Sequence, residues 1–217
     1  MSQLKLTAEG GGGTVAIKGP ASTTGNAAIE LTVPGTGNGT ILTSNSSTGK
    51  ILQVVSTNVT TTSSSVISDF PTLVESPASI TFNSVGLNSH FVISGQVGGE
   101  ANSSDHVVGF VLQRIVGGVT TNINVGATAG NRASLTAIQN QGYSSIDNAS
   151  TPSSNSFAPY RDSPNQAAGT SIKYVFSVCK INQTGTITYY FGRSTNDSDT
   201  GDYERLPQHI TVMEIAA

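Results

Sequence analysis

Ser171-Ile172-Lys173-Tyr174-Val175-Phe176-Ser177-Val178-Cys179-Lys180-Ile181-Asn182 decides the fold class. Ile172, Tyr174, Phe176 and Val178 share one side of an extended chain, while Lys173, Ser177 and Cys179 alternate with them. A period of two belongs to a strand, because successive side chains of extended backbone point to opposite faces. Apolar and β-branched runs of the same kind give strands over 79–85, 91–97, 106–116, 119–125, 184–191 and 209–215. Gly117-Gly118 between two of them has the length and residue type of a two-residue hairpin turn. Gln183-Thr184-Gly185 reads as a slightly longer hairpin loop between the strands at 171–182 and 184–191. No segment carries a 3.6-residue apolar pattern. Many short strands joined by tight turns predict an all-β sandwich or jelly roll.

Composition agrees. Of the 217 residues only 11% are charged, against about 25% in an average soluble domain. Thr, Ser, Asn and Gly take the place of Lys, Glu and Arg. Thr fits a pleated surface and Asn and Gly fit turns, whereas Ser, Thr and Asn compete with a helical backbone for its hydrogen bonds. A net charge of −3 with singly scattered Lys and Arg leaves no basic footprint, so no nucleic-acid partner is expected. No apolar run approaches the roughly 18 residues of a membrane span, and Met1 to Leu6 lacks a signal peptide's apolar core. No membrane insertion is expected, and synthesis is expected in the cytoplasm. Cys179 is the single cysteine, which excludes an intrachain disulfide and reads as a buried, inert thiol.

Residues 1–55 differ from the rest. After the glycine run 10–13 come Thr14-Val15-Ala16-Ile17-Lys18, then Gly19-Pro20, then Ala28-Ile29-Glu30-Leu31-Thr32-Val33 closed by Pro34-Gly35. These are hairpin-like units. A lone two-stranded hairpin is marginal in water, so this extended segment needs partners, either sister chains or a docking surface. Residues 56–65 form a Ser/Thr tract without periodicity, read as a linker or an exposed extended strand, and a head domain then occupies 66–217. Within it, 139–168 is dense in proline and polar residues and reads as a long excursion with short strand fragments at best. Long loops on rigid β scaffolds often carry binding function. Tyr143, Phe157, Tyr160 and Arg161 lie there, residue types enriched at interfaces. They are the candidate receptor-binding or subunit-contact residues.

The ordered set of segments resembles fibre-like structural proteins of marine bacteriophages. It comprises the N-terminal stretch just quoted with Gly39-Thr40-Ile41-Leu42, then Ser79-Ile80-Thr81-Phe82, Phe91-Val92-Ile93-Ser94-Gly95 and Val108-Gly109-Phe110-Val111-Leu112-Gln113-Arg114. The closing Ile210-Thr211-Val212-Met213-Glu214-Ile215 completes it. The resemblance spans nearly the whole chain apart from 139–168. It implies a jelly-roll head of the type shared with tumour-necrosis-factor and C1q domains, assembled as a homotrimeric knob on a virion. Residues 1–55 would meet other virion proteins, and the head would contact a host-surface glycan or protein. A capsid decoration protein that stabilises the shell is the alternative.

Catalytic chemistry finds little footing. A glycan-degrading enzyme needs paired carboxylates at a fixed spacing, and the 13 acidic residues are scattered with no Trp as a sugar platform. The expectation is a protein that is not an enzyme and has no resident cofactor. His90, His106 and His209 lie at or near the ends of different strands, which makes a three-histidine metal site conceivable. The stronger candidate is Asn196-Asp197-Ser198-Asp199-Thr200-Gly201-Asp202, where Asp197, Asp199 and Asp202 offer alternate oxygens around a glycine bend, as Ca²⁺ requires. The same residues would serve equally as a solvated turn.

Overall fold

The computed structural model describes residues 49–103, 108–139, 151–181, 185–199, 201 and 203–217, with the backbone of 3–7 and 14–18. The chain divides into two compact units, Met1–Thr43 and Ser44–Ala217. In the first, β1 (Gln3–Thr7) and β2 (Thr14–Lys18) pair antiparallel, with Leu4 opposite Ile17 and Leu6 opposite Val15. Thr14 to Lys18 is thus a strand as read, and its partner precedes it. The second expected strand, 28–33, lies outside the described residues, as do 10–13.

The second unit contains β3 (Ile51–Val59), β4 (Ser63–Ile67), β5 (Val74–Asn83), β6 (His90–Ala101), β7 (Val108–Val116) and β8 (Val119–Ile123). It continues with β9 (Ala137–Ile138), β10 (Ser153–Asp162), β11 (Ser171–Lys180), β12 (Ile187–Phe191) and β13 (Gln208–Ile215). Among the described residues there is no helix.

Pairing is antiparallel throughout both sheets. The first is built on the long β6. Gln96 pairs with both Ser156 and His209, and Gly99 with both Ser153 and Phe191. So β10 takes one edge of β6, while β13 and then β12 share the other. β3 extends the sheet beyond β13, and β4 extends it beyond β12. The second sheet runs β5-β11-β7-β8, with β9 also on β7. Setting aside the two-residue β9, and β12 with β4, which continue the first sheet along the far end of β6, eight principal strands remain. The first, eighth, third and sixth (β3-β13-β6-β10) form one sheet, and the second, seventh, fourth and fifth (β5-β11-β7-β8) form the other. That is the wrapped double Greek-key order of a jelly roll.

The β11 stretch that decides the class lies central in its sheet, between β5 and β7. Its Ile172, Tyr174, Phe176 and Val178 belong to the core cluster, together with Phe91 and Ile93 of β6, Phe110 and Leu112 of β7 and Ile210 and Val212 of β13. Aromatic rings join the two sheets. Phe157 of β10 stacks on Phe176 of β11 with centroids 3.9 Å apart, and Phe110 meets Phe157 and Tyr189 edge-on. Such pairs add about 0.5–1.5 kcal/mol each beyond the area they bury. Val175, Ser177 and Cys179, on the other side of β11, are buried as well. Cys179 is therefore the enclosed thiol expected of it.

Gly117 (φ 57°) and Gly118 (φ 80°) close the β7–β8 hairpin, with Val116 opposite Val119. Both positions need the left-handed conformation of a two-residue type I′ turn, which only glycine adopts freely.

Two expectations are corrected and one is narrowed. The 139–168 excursion contains a ten-residue strand, β10, on the free edge of β6. Its register shifts between Phe157 and Tyr160, and Pro159 sits in that irregularity, where a missing N–H removes no ladder bond. The Ser/Thr tract, read as a linker or an exposed extended strand, is extended strand at both ends. β3 reaches Val59 and pairs with β13, and β4 begins at Ser63 and pairs with β12, so the jelly roll begins ahead of residue 66. Finally, β11 and β12 do not pair as a hairpin. β11 belongs to one sheet and β12 to the other, so the connection crosses between layers. Turn residues permit either path, and the sequence holds no signal that separates them.

Candidate functional site

The outward face of the β3-β13-β6-β10 sheet is laid out by register. Val54, Met213, Val92 and Arg161 stand opposite one another across four strands. The inward side of the same strands carries Val55, Val212 and Ile93, so alternation turns Val54, Met213 and Val92 outward. Val54 is 55% exposed and Ile51 52%. The next rows along the face are polar: Ser56, Thr211 and Ser94, then Asn58, His209, Gln96 and Ser156. An apolar row with a single guanidinium at its β10 end thus crosses the sheet close to where β13 finishes and β6 begins, with hydroxyls and amides on one side and Ile51, Ile215 and His90 on the other. Arg161 also lines a shallow depression with His90, Ile215 and the C-terminal alanines.

The three described residues of the expected contact set do not share one surface. Arg161 is exposed on this face. Tyr160, one residue earlier, turns inward and packs against the core, and Phe157 is a core residue at 8% exposure. Their aromatic character serves packing between the sheets. Tyr143 lies outside the described residues.

Directly after Arg161 comes a polar junction that sequence reading did not single out. Asp162, at the end of β10, accepts two hydrogen bonds from Arg114 of β7 at 2.8 and 2.9 Å and one from the Tyr174 hydroxyl at 2.7 Å. One carboxylate therefore ties β10 in the first sheet to β7 and β11 in the second. Burial first, and then the Asp162 charge, push the Tyr174 hydroxyl well above its ordinary range, so it remains a neutral donor. Its only sequence signal is Arg114, an isolated charge within the largely apolar β7.

A second carboxylate acts as an anchor. Glu214 of β13 is buried and accepts from the backbone N–H groups of Val85 and Gly86 at 2.8–2.9 Å and from the Gln53 side chain. Burial raises its pKa, but the Gly86, Val85, Gln53 and Ser89 hydrogen bonds outweigh it and leave the group below its ordinary value. The turn after β5 is thereby fastened to β13.

The histidines do not converge. His90 pairs with Ile215 and His209 with Gln96, six ladder steps apart along β6, or roughly 20 Å at 3.3 Å per residue. His106 lies outside the described residues. In the acidic turn, Asp197 accepts from Arg205 at 2.8 Å, with Arg193 at 3.9 Å from its other oxygen. Asn196 caps the same turn by accepting from the Ser198 N–H and hydroxyl. Asp199 is exposed, and Asp202 lies outside the described residues. Asp197 is thus committed to arginine in the arrangement seen.

Fold and site together define a jelly-roll β-sandwich with an apolar and hydroxyl-rich outer sheet face. No family model matches the chain, and no curated protein does. Among solved structures it is similar to one of infectious bursal disease virus, Gx strain, at 15% identity and a TM-score of 0.34, and to one of the Gt strain at 15% and 0.29. The matches cover 76% of this chain but only 40% and 41% of those chains, so it spans about two fifths of their length.

Proposed function

We propose that the chain is a structural protein of a virus particle, the subunit of a homotrimeric fibre or knob whose jelly-roll head contacts the host surface. The observation that carries this reading is the double Greek-key head with a low-charge outer face crossed by the stripe Val54, Met213 and Val92. Exposed contiguous apolar surface rimmed by polar groups marks a contact face. The stripe is the surface on which sister heads meet, and the small N-terminal hairpin gains its core by association with the same segment of its partners. Multivalent display then raises weak single-site contacts to useful avidity. No catalytic step and no resident cofactor enter this role.

Two measurements on intact particles test it. Antibody raised against the chain should decorate purified virions, and the purified chain added before infection should lower adsorption. Decoration of the shell with adsorption unchanged would replace host contact by the shell-stabilising role. Absence of the chain from purified particles would overturn the proposal.

A further inference from the structure

At the end of the second sheet where β11 finishes and β7 begins, a groove lies between the 69–72 turn and the 124–136 loop. It has two lobes of about 530 and 480 Å³ that share Phe70, Asn131 and Arg132, a size within the range of small-ligand sites. Its walls are fixed by backbone hydrogen bonds. The Phe70 N–H donates to the Lys180 carbonyl at 3.0 Å, and the Thr72 N–H to Asp69. Across the groove, the Gly126 N–H donates to Leu135 and the Thr136 N–H to Phe110, while Thr136 Oγ1 accepts from the Leu112 N–H at 2.9 Å. The loop is thus pinned to β7, and a ligand need not order it on binding.

The lining is mixed. Phe70, Leu135 and Ile138 give it an apolar side, and Asn131, Thr128 and Ser134 a polar one. Asp69 is the acidic lining residue, and it lies 2.6 Å from the buried Lys180 ammonium, which offsets its charge. Arg132 is exposed, and among the described residues no carboxylate lies within ion-pair reach of it. A planar fork of donors left open over such a groove suits a carboxylate, which it can hold through two parallel hydrogen bonds.

We propose that this groove binds an acidic sugar residue of the uronate type, with Arg132 on its carboxylate, Asn131 and the loop hydroxyls on its ring hydroxyls, and Phe70 against its apolar face. The choice of a glycan rests on the reading of a displayed, host-contacting protein, which the test keeps separate. Purified full-length chain is titrated with a glucuronate-terminated disaccharide and with its glucose-terminated counterpart, using amide chemical shifts as the readout. Saturable binding of the acidic sugar is expected, weaker by about tenfold for the neutral sugar and for Arg132→Gln, as loss of one charge-assisted contact implies. Phe70→Ala should weaken both sugars. Because Arg132 is exposed and unpaired among the described residues, the melting temperature of Arg132→Gln should match the parent. Absence of saturation, or equal binding by Arg132→Gln, overturns the inference. If the chain blocks adsorption without binding glucuronate, the groove fails and host contact stands. If it binds glucuronate through Arg132 but leaves adsorption unchanged, the groove stands and host contact fails.

Discussion

Asp162 holds two sheets together with one carboxylate. Asp162→Ala leaves the Arg114 guanidinium and the Tyr174 hydroxyl without their acceptor in a largely enclosed place. Removing one partner of a buried ion pair costs about 3 kcal/mol or more, and urea unfolding should show a loss of that size. For Glu214, a pKa below its ordinary value of 4.5 means that the folded state binds its proton less readily than the unfolded chain. Its stabilisation is therefore complete above the ordinary carboxylate range and is lost as pH falls through the lowered folded value. Glu214→Gln should be less stable at neutral pH and should lose part of this acid-side slope in denaturation midpoints measured from pH 7 down to 3. Cys179 is fully buried, and desolvation pushes its thiol up to about 12. A thiol reagent should label it only as fast as the head unfolds. Rapid labelling under native conditions would contradict the enclosed position of β11.

Elements were legible where alternation was strong and both neighbours agreed with it. The strand at 171–182 announces itself because Ile172, Tyr174, Phe176 and Val178 all face the core, and Gly117-Gly118 because its turn type requires those residues. β10 is different. Its inward side includes Phe157 and Tyr160 with a bulge between them, so a period of two never establishes itself. Its strand conformation comes from the open edge of β6, a tertiary cause that local pattern does not carry. β3 and β4 were obscured likewise, since Ser, Thr and Asn on an outward face resemble a linker. Phe157→Ala should cost about 3 kcal/mol by opening a cavity beside Phe176. Gly95 tests the close approach of β6 to β13: an added Cβ would lie 2.5 Å from the His209 carbonyl and 2.7 Å from the Phe176 ring. Gly95→Ala should lower stability by about 1–3 kcal/mol, read from the shift in thermal midpoint. A neutral result would mean that β13 can move away from β6.

For the whole molecule, low charge and alternation foretold an all-β sandwich, while the jelly-roll order emerges only from which strands pair. The candidate site was partly legible. Arg161 reaches an exposed face, but the aromatic residues beside it turned out to build the core, because aromatic content marks interfaces and interiors alike. The stripe Val54, Met213 and Val92 could not be read from sequence, since its members come from three strands far apart in the chain. That stripe underlies the central claim, a head that associates with its own copies through its outer sheet face. The direct test is the native mass of the purified chain by light scattering on a sizing column. The account predicts a particle of about three times 22.2 kDa, dissociating when Val54 and Met213 are both replaced by Asp. A monodisperse species of 22.2 kDa at every concentration examined would contradict it.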